Sequence, residues 1–155
     1  MKIAVLAVGQ RQPLWAQQAV DEFVKRFPPG FAVTINEIKA ETRSGQPVGR
    51  VLAAESERLR AAIPAGAVVV ALDESGQDWT TARFAEQLRL WRDASESLAF
   101  LIGGPDGLAP ELKRAARVVL RLSSLTLPHA LARVVLVEQL YRAWSLLANH
   151  PYHRA

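Results

Sequence analysis

The sequence predicts a single α/β domain over residues 1–155, with a mostly parallel sheet flanked by helices. Three observations predict it. Short apolar runs alternate with segments of helical period along the whole chain, the pattern that gives a helix-covered parallel sheet. The run Ala67–Leu72 is apolar without interruption, as in a central strand covered on both faces. In the last third, Phe100-Leu-Ile-Gly-Gly-Pro-Asp-Gly-Leu108 and Leu122-Ser-Ser-Leu-Thr-Leu-Pro-His129 each pass from a strand-like run through a turn into a helical pattern.

Taken in order, Met1–Gly9 predicts a first buried strand, and Gln10–Pro13 a turn. Leu14–Phe27 carries Trp15, Ala19, Phe23 and Phe27 at four-residue spacing, which predicts a helix burying that stripe and ended by Pro28-Pro29-Gly30. Phe31–Ile38 alternates as a second strand, and Lys39–Gly49 is a long polar loop, basic enough to touch RNA. A charged amphipathic helix from Val48 to Ile63 stops at Pro64. Asp73-Glu-Ser-Gly76 is expected to turn the chain at the end of the third strand. Trp79–Trp91 predicts a helix capped by Thr80 or Thr81, with Phe84, Leu88 and Trp91 on one face. Ser97–Ile102 and Val118–Leu122 predict two more strands around a short helix at Pro110–Ala115. His129–Leu147 predicts a long helix with Leu131, Val134, Val135, Leu140, Tyr141 and Trp144 facing inward.

At 155 residues such a domain buries roughly two thirds of its unfolded surface, enough for a core without staples. There is no cysteine, which excludes disulfides, thiolate metal sites and a cysteine nucleophile. The apolar N-terminus is too short for a signal h-region with its flanks or a membrane span, so a cytoplasmic protein is expected, with no membrane partner. Net charge is +4. From Glu111 to Ala155 seven basic residues (Lys113, Arg114, Arg117, Arg121, Arg133, Arg142 and Arg154) face two acidic ones, Glu111 and Glu138. That excess suits a polyanion, although an Arg-rich composition also yields a merely soluble surface. No P-loop, Gly-x-Gly-x-x-Gly fingerprint, zincin histidine pair or internal repeat is present.

Ligands of open α/β sheets bind beyond the carboxyl ends of the strands. Here three such ends are Leu72 with Asp73, Ile102 with Gly103, and Leu122–Leu127. Gly103 and Gly104 have access to positive φ and bring bare backbone groups to a ligand, while Gly107 permits a second bend. Ser123, Ser124 and Thr126 precede Pro128, which suits the first turn of a helix. Both stretches also read as ordinary connecting loops.

These residues, followed by Glu138-Gln-Leu-Tyr-Arg-Ala-Trp144 and Asn149-His-Pro-Tyr-His-Arg154, resemble the ribosomal RNA large subunit methyltransferase H family. Its members are SPOUT-class (α/β knot) enzymes that use S-adenosylmethionine to methylate N3 of a pseudouridine in 23S rRNA. The resemblance spans the chain, with the Lys39–Gly49 loop its weakest part. It implies a C-terminal trefoil knot and a homodimer with active sites at the subunit interface. It also implies a donor held by Leu72, Gly103, Leu122, Ser123, Ser124, Leu125, Thr126 and Leu127.

Methylating N3 requires loss of the imide proton, then positioning and charge stabilisation, with no metal expected. Candidates for that work are His129, Arg142, Tyr152, His153 and Arg154. His129 equally serves as a helix cap, and the tail as a frayed terminus. His150 and His153 alone lack a third metal ligand. Two rival readings remain: methylation at another RNA position such as a ribose 2′-hydroxyl, and a non-catalytic RNA-binding or assembly module.

Overall fold

Five apolar runs pair into one sheet because each presents alternating side chains to two helical layers. The computed structural model describes residues 1–154. In chain order the elements are β1 (Lys2–Val8), α1 (Leu14–Val24), β2 (Ala32–Ile38), α2 (Val48–Ala62), β3 (Val68–Asp78) and α3 (Thr81–Asp93). They continue as β4 (Leu98–Ile102), α4 (Pro110–Ala115), β5 (Val118–Arg121), α5 (His129–Leu147) and a closing 3-10 turn, Pro151–Arg154. The strand order is β2-β1-β4-β3-β5, and every pairing is parallel.

The period of two along each strand divides the core. Ile3, Val5 and Ala7 of β1, with Leu98, Phe100 and Ile102 of β4, face the layer that holds Leu88 of α3 and Leu136 and Leu140 of α5. Ala4, Leu6 and Val8, with Ala99 and Leu101, face Leu59 of α2 and Leu112 of α4. α5 packs against both α1 and α3. Thr80 caps α3, its hydroxyl accepting from the Arg83 amide at 3.1 Å.

Three expectations need correction. In α1 the fully buried residues are Ala16 and Val20 and Trp15 is 54% exposed, whereas Phe23 and Phe27 of the expected stripe are half-buried against Tyr141. In α5 the buried positions include Arg133, Leu136, Val137, Leu140 and Tyr141, whereas Leu131, Val134 and Val135 are half-buried. That helix is apolar around most of its circumference, so periodicity could not choose a face. Finally, β3 does not end at Leu72. It resumes after Asp73–Gly76, with Leu72 and Gln77 both opposite Leu120 of β5. The four intervening residues are an outward excursion within one strand. Gly76 is required there because a Cβ would meet the Leu120 backbone at 2.7 Å.

Candidate active site

The carboxyl ends of β3, β4 and β5 open onto one cleft of about 680 Å³. Its floor is Leu72 and Ile102, one wall is the Gly103–Gly107 turn, and the other is Leu122, Ser123, Leu125, Thr126 and Leu127. Pro128, His129 and Ala132, at the start of α5, close one end. Seven of the eight residues expected to hold a donor therefore line a single cavity; Ser124 is exposed and lies outside its lining.

The glycines act by space rather than dihedral freedom. Of the turn's glycines only Gly107 has positive φ, at 78°. A Cβ on Gly103 would sit 2.4 Å from the carbonyl carbon and oxygen of Gly107, and one on Gly104 would lie 3.2 Å from Val8 Cγ1. The turn is drawn closed by the Gly107 amide, which donates to the Gly104 carbonyl at 2.9 Å. On the opposite wall the Ser123 hydroxyl accepts from the Leu125 amide at 2.9 Å and shapes the loop locally.

Charged side chains of both signs ring the cleft. Asp73, Glu74 and Asp106 lie around the cleft with Lys113 and Arg121. Lys113 Nζ stands 3.3 Å from Asp73 Oδ1, and Arg121 pairs with Asp78 at 3.0 Å. Burial alone would raise the Asp73 carboxyl, but hydrogen bonds from the Ser75 hydroxyl and amide, together with the Lys113 ammonium, hold it below its ordinary value. The signal for Asp73 was its place directly after an apolar strand, and that for Lys113 was the basic excess of the last third; their pairing, across 40 positions, had no local signature.

One turn beyond His129, Arg133 is only 3% exposed. Its guanidinium donates to Glu37 at 2.8 Å and to the carbonyls of Val8 and Gly9 at 3.1 and 2.6 Å. This buried fork ties the start of α5 to the ends of β1 and β2 and fixes where His129 stands.

The other expected catalytic residues lie elsewhere in the protomer. Arg142 is 13 residues beyond His129 (142 − 129), about 20 Å along the helix axis. Glu138 organises this region: its Oε1 accepts from Arg142 Nε at 2.9 Å and from the Tyr152 hydroxyl at 2.9 Å. The Tyr152 ring packs edge-on against Tyr141 at 4.7 Å, with the Arg142 guanidinium 5.0 Å from its centre. Burial first, then hydrogen bonding to Glu138, raises the Tyr152 pKa, so the phenol is a neutral donor at physiological pH. In this protomer Tyr152 ties the tail to α5 through Glu138 and Tyr141. Tyr152→Phe is expected to retain most activity while losing about 1 kcal/mol of stability, measured by denaturant unfolding beside initial rates. His153 Nδ1 is buried without a hydrogen-bond partner among the described residues. Glu138 was missed as an organiser because one carboxylate in an apolar helix looks like a surface charge.

Among the described residues no helix is long and apolar enough to cross a membrane, and no cluster of three or more His, Asp or Glu is arranged around a metal position.

Comparison with known proteins adds sequence and fold relatives. A family model described as "Predicted SPOUT methyltransferase" matches residues 1–153. A protein from Burkholderia ambifaria (strain MC40-6), named ribosomal RNA large subunit methyltransferase H, is 53% identical over 156 residues, covering 100% of both chains. Its namesake from Verminephrobacter eiseniae is 55% identical over 154 residues, 99% of each. Among solved structures, a probable methyltransferase from Bordetella pertussis Tohama I aligns over 92% of this chain and 95% of its own, with TM-score 0.57 and 16% identity. TrmJ from Z. mobilis ZM4 aligns over 92% and 70%, with TM-score 0.54 and 14% identity, a likeness of fold. With a parallel five-stranded sheet, a cleft at three strand ends and near-complete coverage by these relatives, the chain belongs to the ribosomal RNA large subunit methyltransferase H family of SPOUT methyltransferases.

Proposed function

We propose that this protein methylates N3 of a pseudouridine in 23S ribosomal RNA, using S-adenosylmethionine, as a cytoplasmic homodimer. The observation that carries the reading is the convergence of three strand ends on one glycine-walled cleft in a chain so similar to its named relatives.

The residues present fit the donor. The cleft volume lies in the range of roughly 300–1,000 Å³ usual for small-ligand sites. Its walls combine aliphatic side chains with turn backbone, suited to an adenosine, and Glu74 at the rim suits a cationic ligand, whereas Asp73 and Asp106 are already paired with Lys113 and Arg43. Leu72, Gly103 and the Leu122–Leu127 segment would hold it, with Ser124 outside the lining. The donor supplies a methyl group on a positively charged sulfur. This chain's part is to bind and orient the base, accept or relay the N3 proton and stabilise the charge left on the base oxygens. His129 stands beside the cleft for such contacts. Arg142 stands about 20 Å beyond His129 along α5, and the turn carrying His153 and Arg154 is held against Glu138 and Tyr141 through Tyr152, which supports an arrangement in which a partner's tail completes each site. Half-buried Leu131, Val134 and Val135 on α5 are consistent with a paired arrangement. Lys113 and Arg114 on α4, with Arg117 in the bend before β5, provide a basic approach for RNA phosphates.

A trefoil knot in the C-terminal half belongs to the same reading. It is supported by β5 lying at the sheet edge beyond β3 while α5 returns to pack on α1 and α3.

Transfer of labelled methyl to ribosomes lacking the modification, followed by nucleoside mass spectrometry, tests the proposal. N3-methylpseudouridine is the expected product. A 2′-O-methylated nucleoside, or RNA binding with no donor binding, contradicts it.

A further inference from the structure

We infer that Arg43, in the loop between β2 and α2, is a positioning residue that straps the glycine turn of the donor cleft; this rests on the cleft being the donor site. The Arg43 guanidinium meets Asp106 in a two-pronged ion pair, Nε to Oδ2 at 3.0 Å and the terminal nitrogen to Oδ1 at 3.0 Å. Asp106 lies at the tip of the Gly104–Gly107 turn, which backbone bonding otherwise closes through the 2.9 Å contact described above. The loop that delivers Arg43 has no regular secondary structure, yet side chains of α2 anchor it. The Glu41 amide donates to Glu55 at 3.0 Å, and Arg58 donates to the Lys39 carbonyl and the Glu41 carboxylate, both at 3.0 Å. Glu55 is 4% exposed, and its carboxylate oxygens lie 3.7 and 3.8 Å from the Cβ position of Gly104. A continuous path therefore runs from α2 through the loop and Arg43 to the wall of the cleft.

The strength of the link determines what it does. Arg43 is 56% exposed at its side chain, so the pair adds little to global stability. A parallel fork fixes direction as well as distance, however, and Asp106 is largely covered, with 16% of its side chain exposed. The strap spends that geometry on holding a glycine-rich turn, the segment with most conformational freedom to lose when a ligand binds. Its contribution is pre-organisation of the wall, read in donor affinity.

The test compares wild type with Arg43→Ala, Arg43→Asp, Asp106→Arg and the reversed pair Arg43→Asp/Asp106→Arg. S-adenosylmethionine affinity is measured by calorimetry, steady-state constants by methyl transfer, and amide hydrogen exchange across residues 103–107 without donor. Arg43→Ala should raise the donor Kd about 3- to 10-fold, leave kcat at saturating donor within about 2-fold, and speed exchange in the turn. The reversed pair should recover most of what either single reversal loses. Unchanged exchange in Arg43→Ala, a reversed pair no better than the summed singles, or a change confined to the KM for RNA each overturns the inference. Failure of the wild type to bind donor, with exchange still faster in Arg43→Ala, sinks the donor assignment and leaves the strap standing.

Discussion

Gly103→Ala is expected to abolish donor binding at micromolar protein while leaving the sheet folded. The added Cβ would sit 2.4 Å from the backbone of Gly107, more than 1 Å inside normal carbon contact. Backbone cannot swing aside like the end of a side chain, so the Gly104–Gly107 turn must open. Overpacking of this kind costs about 1–3 kcal/mol, and 1.4 kcal/mol is a factor of ten, so affinity falls roughly 5- to 140-fold. The damage arises in the wall behind the cleft, at the Gly107 backbone. Gly107→Ala is the informative companion. Its Cβ meets open space, but its φ of 78° strains an alanine, so a smaller loss, on the order of 1 kcal/mol, is expected. Calorimetry with S-adenosylmethionine, beside circular dichroism, checks both; undiminished binding by Gly103→Ala removes Gly103 from the site.

The second large effect comes from mixing two inactive proteins. Gly103→Ala damages the cleft, and His153→Ala/Arg154→Ala damages the tail; each alone is expected to be nearly inactive. Arg142 lies about 20 Å beyond His129 along α5, and Glu138, Tyr141 and Tyr152 hold the tail at that far end. If each cleft takes its tail from the partner, a mixed dimer has one site with intact cleft and intact tail. Random exchange makes half of all dimers mixed, so about a quarter of wild-type activity should return. If each cleft used its own tail, no mixed site would be intact and activity would stay at background. The readout is methyl transfer after refolding the two variants together at equal concentration.

Much of this architecture was legible because strands and helices were announced by strong local signals. The unbroken run at β3, the alternation in β1 and β2, and the proline and glycine stops placed nearly every element within a few residues. The cleft was legible too, since ligands of parallel sheets gather at strand ends and three such ends carried turn residues. What stayed hidden depended on contacts distant in sequence. The resumption of β3 after Asp73–Gly76 is decided by Leu120, which pairs on both sides of the excursion. The orientations of α1 and α5 are decided against one another, and a helix apolar on several sides has no unique face to read. Arg43 and Asp106 stand 63 positions apart, and Arg133 and Glu37 stand 96 apart, so neither pairing has a local signature. Tyr152 illustrates the same limit: its contacts with Glu138 and Tyr141, 14 and 11 positions earlier, had no local signature.

The central claim is that the crevice bounded by Leu72, Gly103 and Leu122–Leu127 grips the methyl donor. Determining the structure of the full-length protein with S-adenosylmethionine bound tests it most directly. The account predicts density for the adenosine against the Gly103–Gly107 turn, with its sulfur directed toward His129. Donor density at any other place on the protein, with that crevice empty, would contradict it.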